Sequence, residues 1–209
     1  MNGMKWDEKD FEVFSIEGLE PRMEALISTV RPKLEALGGH FEHYFSSVLG
    51  EEFHPHVARH ARRKVNPPKD TWVAWSTSSR GYKSLPHFQI GLFGSKVFVI
   101  LALVYELPGK EMMADRLLED TELFDSLPGQ FIVSGDHMSP EASPVHEDGG
   151  DEVIRLLERL KTVKKGEFLV GRHITREEAV RMSEKEFLAL AEDTFDPLLP
   201  VYRSLTGRK

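Results

Sequence analysis

Three apolar, strand-like segments follow one another between Thr71 and Leu107 with only short breaks between them, and no other feature of this 209-residue chain limits its fold as sharply. Thr71–Ser76 is rich in strand-forming residues. Leu85–Leu92 alternates, placing Phe88, Ile90 and Leu92 on one face and His87 and Gln89 on the other. Phe93-Gly94-Ser95 has turn chemistry, and Lys96–Leu107 reads as a long, largely buried strand that Pro108-Gly109 ends. Consecutive strands joined by short loops predict an antiparallel meander. Trp72 and Trp75, three residues apart, fall on opposite faces of it. One belongs to a core, and the other could cover the sheet or stack on a ligand ring.

Elements on either side complete the picture. Phe11–Ile16 alternates like a short first strand. Pro21 stands early in a helix striped by Met23, Leu26, Ile27 and Val30, which Pro32 is expected to end or kink. A second helix carries Leu34, Leu37, Phe41, Phe45 and Val48, weakened by Gly38-Gly39. His56–Val65 has apolar residues every fourth position and is assigned to a strand, stopped by Asn66-Pro67-Pro68. After the meander come a helix from about Lys110 to Leu127, a short strand at Gln130–Ser134 and a long loop at Met138–Gly150. A helix at Asp151–Val163 and a strand at Phe168–Val170 follow. Thr175 with Glu178, and Ser183 with Glu186, are two capping boxes that open the last helices. The order β-α-β-β-β-β-α, then β-α-β-α-α, predicts an α+β fold: an antiparallel sheet with helices around it in a single domain, residues 1–209.

The absence of cysteine excludes thiol nucleophiles, disulfides and Cys-containing zinc sites. The N-terminus lacks the apolar core of a secretory signal, and the longest apolar run, Val97–Tyr105, is far short of the roughly 20 residues that span a bilayer. A soluble, cytoplasmic protein with no membrane partner is expected. The formal net charge is −7, unevenly spread. Between His54 and Lys83 seven cationic residues face one acid, Asp70. Such a block suits one anion or phosphate-bearing ligand better than general nucleic-acid coating.

Arg59, Arg62, Arg63, Arg80, Tyr82, Lys83, His87 and Gln89 are therefore the candidate ligand-binding residues, offering cationic and neutral donors to an anion. The same residues also fit a solvated strand face with a basic hairpin. His54, His56 and His60 are of metal-ligating type, but neighbouring arginines would repel a cation and no metal site is assigned. Asp136-His137 and His146-Glu147-Asp148 are suitable ligand types without diagnostic spacing. Gly91-x-x-Gly94-Ser95-Lys96 is too short for a phosphate loop and leads into a strand. No catalytic residue and no cofactor can be read from the pattern.

His56-Val-Ala-Arg-His-Ala-Arg-Arg-Lys-Val-Asn-Pro-Pro-Lys-Asp-Thr-Trp-Val-Ala-Trp75, with Arg80-Gly-Tyr-Lys83 and Pro86-His-Phe-Gln-Ile-Gly-Leu92, resembles the YktB family of bacterial proteins, a domain of unknown function. The resemblance spans nearly the whole chain. It implies a bacterial cytoplasmic protein with an α+β fold similar to the TATA-box-binding-protein-like class, a β-α-β(4)-α core with extra C-terminal helices. It brings no activity and no functional residues. Three functional readings stand open: an anion-binding protein using residues 59–89, an enzyme with His87 as acid or base, and nucleic-acid binding through the same segment.

Overall fold

In the computed structural model the described residues run from 3 to 207. The chain opens with helices, not with the expected strand at Phe11–Ile16. Helix α1 (Glu8–Glu12) continues into a 3-10 turn at Val13–Ser15. Asp7 and Asp10 cap its start reciprocally, and Phe11 and Val13 are buried. The local capping chemistry wins over the alternation. The β-α-β(4)-α order is therefore not present at this end of the chain. Helix α2 (Leu19–Ala25) passes through one π turn, Leu26–Val30, into α3 (Arg31–Leu49). Pro32 does not end the helix: it follows directly on the π turn at Leu26–Val30, and α3 runs on from Arg31.

The sheet follows: β1 (His54–Val57), β2 (Asp70–Ser76), β3 (His87–Phe93) and β4 (Lys96–Leu103). The strand assigned to His56–Val65 is confined to four residues ending at Val57, and residues 58–69 form a strap instead. Helices α4 (Lys110–Glu119) and α5 (Glu122–Asp125) divide what was read as one helix. Short strands β5 (Ile132–Ser134) and β6 (Ser143–Pro144) lead to α6 (Asp151–Thr162) and β7 (Phe168–Thr175). Helices α7 (Arg176–Arg181), α8 (Glu184–Phe195) and α9 (Leu199–Thr206) finish the chain, α7 and α8 opened by the two expected capping boxes.

All strand pairs are antiparallel, in the order β1-β2-β3-β4-β7-β5-β6. The fold class is thus α+β, as expected. The sheet's first face carries Val73, Trp75, Phe88, Ile90, Leu92, Val99 and Val170, and packs against the helices in one large core. Its aromatic centre is built from Phe41, Phe45, Phe88 and Phe195, with Phe45 stacked on Phe88 at 4.3 Å between ring centroids. The second face holds a smaller apolar cluster, Phe93, Phe98, Ile100, Ala102 and Leu169, with Trp72 at its margin and no helical residue among them. Gly91 permits this arrangement: a Cβ there would collide with the Phe98 ring and the Thr71 carbonyl. Among the described residues no helix is long and apolar enough to cross a membrane.

Candidate functional site

Edge strand β1 forms the floor of an open cleft of about 1090 Å³. One wall is the first half of α3, contributing Arg31 and Glu35; the other is the loop from Ser79 to Ser84, with Arg80, Tyr82 and Lys83. The 58–69 strap supplies Arg59. A second depression of about 320 Å³ adjoins it, sharing Ala58, Arg59, Tyr82 and Lys83 and adding Arg62, Arg63 and Trp72. Helix α3 can lie close to β1 because Gly38 faces Pro55, where an added Cβ would sit 3.2 Å from the proline ring.

Of the eight residues proposed from sequence, six line these two openings: Arg59, Arg62, Arg63, Arg80, Tyr82 and Lys83. Their electrostatics are one-sided. Six cationic side chains, counting Arg31, meet only Glu35 and Glu106. Lys83 pairs with Glu106 at 3.1 Å. The Arg63 guanidinium donates to the carbonyls of Asn66 and Pro67. Tyr82 anchors the wall: its hydroxyl accepts from the Trp72 indole N–H at 2.9 Å, and burial pushes its pKa up to about 12, so it keeps its proton. His60, a non-glycine residue at φ 52°, turns the strap back on itself. Its ring packs edge-on to Trp72 and reaches the Thr71 hydroxyl at 3.2 Å. Burial, helped by the charge of Arg63, lowers its pKa to about 4.

The other two, His87 and Gln89, are not on the cleft wall. His87 is fully buried, behind the Tyr82 ring at 4.8 Å between centroids. Its Nδ1 bonds the Leu85 carbonyl at 2.8 Å, and its Nε2 accepts from the Gln89 amide at 2.8 Å. Burial pushes its pKa down to about 4, leaving a neutral ring at neutral pH. The strand alternation was right about their shared face, but loops cover that face, so the pair is neither solvated nor open to the cleft.

Beyond His87, the second face carries polar groups that sequence reasoning did not bring together. Glu167, 3% exposed, accepts the backbone N–H groups of Tyr105 and His137 and the Nδ1–H of His137, the last at 2.8 Å. Burial works against its charge, but the His137 bonds outweigh it and hold the carboxyl below its usual value. Burial likewise opposes the charged His137 ring, and Glu167 overrides it, raising the pKa. Asp70, 1% exposed, has one carboxylate oxygen with no partner among the described residues, and burial raises its pKa to about 6. The sequence offers Asp136-His137 only as ligand types without diagnostic spacing; His137 meets Glu167 because β7 pairs with β5, which precedes the 135–140 loop. No local spacing encodes that contact.

A family model described as Domain of unknown function (DUF1054) matches residues 6–202. A UPF0637 protein of Lysinibacillus sphaericus is 57% identical over 208 residues, covering 100% of this chain and 99% of its own. One from Macrococcus caseolyticus is 53% identical over 194 residues, with 93% and 96% covered. One from Bacillus cereus is 50% identical over 194 residues, with 92% and 93% covered.

Proposed function

Since the chain belongs to the family described as Domain of unknown function (DUF1054), its role must be argued from its own surface, and we propose that it binds an anionic, phosphate-bearing small molecule in the basic cleft at the β1 edge. One observation carries this reading. In a protein of net charge −7, six cationic side chains from α3, the strap and the 79–84 loop converge on two adjoining openings that hold two acids. Guanidinium groups present paired N–H donors that match phosphate oxygens, and Arg31, Arg59, Arg62 and Arg80 have no acidic partner among the described residues. The protonated Tyr82 hydroxyl adds a neutral donor at the shared wall.

Isothermal titration with pyrophosphate and nucleoside triphosphates tests it. Each charge-assisted hydrogen bond contributes about 1.5–3 kcal/mol, so Arg59→Ala/Arg80→Ala should weaken binding by at least about tenfold without lowering the melting midpoint. Unchanged affinity in that variant would remove the proposal. Binding confined to oligonucleotides, with a steep salt dependence, would transfer the cleft to nucleic acid. The enzyme reading with His87 as acid or base draws no support from its burial behind Tyr82.

A further inference from the structure

We propose a divalent transition-metal site on the second face of the sheet, separate from the basic cleft, with His137, Glu167 and Asp136 as its protein ligands. One donor atom of each lies within 4.8 Å of the other two. Asp136 and His137 come from the 135–140 loop and line a cavity of about 20 Å³, and Glu167 immediately precedes β7. That volume admits a single ion or one water and excludes an organic ligand.

Two further polar groups line the cavity. Gln89 is 5% exposed, and its amide nitrogen is engaged with His87. His173, on β7, lines the cavity too. Ser134 and Ser139 place hydroxyl-bearing side chains on the same wall. The carboxylate at the centre is also held in advance: Glu167 accepts two backbone N–H groups, from Tyr105 and His137, and Asp136 accepts that of Met138 at 2.8 Å. Ligating carboxylates are commonly anchored in this way. Imidazole with carboxylate and neutral oxygen suits ions such as Zn²⁺ or Mn²⁺ better than Ca²⁺ or Mg²⁺, which favour all-oxygen shells.

The competing interpretation is a simple His137–Glu167 ion pair. Titration calorimetry with Zn²⁺ and Mn²⁺, after chelator treatment, separates the two. The site predicts one ion per chain. Asp136→Asn should weaken binding by at least about tenfold, the scale on which metal-site residues act, and His137→Gln should abolish it. The Asp136 side chain is exposed and its variant keeps an oxygen for the Met138 N–H, so folding is preserved. His54→Gln/His56→Gln should bind as the parent does. No saturable binding at millimolar ion, equal binding by the Asp136 and His137 variants, or loss on changing His54 and His56 would each overturn the assignment.

Discussion

Buried titratable residues on the loop-covered face set opposing pH dependences. His60, His87 and His173 have pKa values lowered to about 4, in each case mainly by burial. Unfolded histidines titrate near 6.5. Above pH 7 neither state binds the proton, so these rings do not tilt the balance. Between about 6.5 and 4 the unfolded chain takes up protons that the folded one refuses, and stability falls as the solution is acidified. Asp70 has the reverse sign: at about 6 its folded pKa lies above that of a free aspartate, so its ionisation destabilises the fold as pH rises from about 4 to 6. Asp70→Asn should therefore be more stable than the parent at pH 8, by about 1–3 kcal/mol, with the difference vanishing near pH 4. Urea denaturation across that range would show it, and a destabilised variant at pH 8 would mean that the carboxylate has a stabilising partner. Sequence alone marked Asp70 only as the one acid in a basic window. Its burial depends on β2 pairing with β3, opposite Phe93, which no local pattern announces.

At the level of elements, what the residues encode locally is legible and what depends on distant packing is not. The capping boxes at Thr175 and Ser183 are contained in four residues each, and both form as read. The C-terminus of α6 is different. Lys110, at the first turn of α4, reaches across to the carbonyls of Val163, Lys164 and Gly166 at 2.8–2.9 Å. It satisfies groups just past the end of α6 and places a positive charge at the negative end of that helix. More than fifty residues separate donor and acceptors, so a sequence reader sees only a lysine beginning a helix. Lys110→Met should cost about 2–4 kcal/mol, against about 1 kcal/mol for Ser183→Ala, as thermal denaturation of the two variants would reveal. Similar losses would show that the lysine acts as a solvated surface group. The misread strand at Phe11–Ile16 follows the same logic. A six-residue alternation is weak evidence when Asp7 and Asp10 can close a cap.

Across the molecule, the N-terminal segment is a long-range fastener. Met4 N–H reaches Glu184, Trp6 is buried against Phe187, and Arg176 pairs with Glu8. Lys33 Nζ joins the Lys5 carbonyl, Asp7 and Asp10, with Asp10 fully buried. Removing the lysine would leave that buried carboxylate without a counter-charge, held only by the Asp7 N–H. Lys33→Met should cost about 3–5 kcal/mol, and Lys33→Met/Asp10→Asn should recover part of it; a double variant no more stable than the single would refute the ion-pair account. Both sheet edges are blunt, β1 by Pro55, which has no N–H to offer, and β6 by its two-residue length. The order of the meander was readable because its strands are sequential. The insertion of β7 between β4 and β5 was not, because it joins segments far apart in the chain. Convergence of the basic residues was only partly readable: the charge block was visible, but the departure of His87 and Gln89 from it follows from the loop that folds over them.

The hydrogen bond from the Trp72 indole to the Tyr82 hydroxyl also makes the molecule its own optical probe. Of its three tryptophans, Trp6 and Trp75 are wholly enclosed, whereas Trp72 lines the smaller opening with Arg62 and Arg63. Emission from Trp6 and Trp75 forms a constant background. Any guest that disturbs Tyr82 changes the polarity around a single fluorophore, so occupancy of the basic cleft can be followed in unlabelled protein.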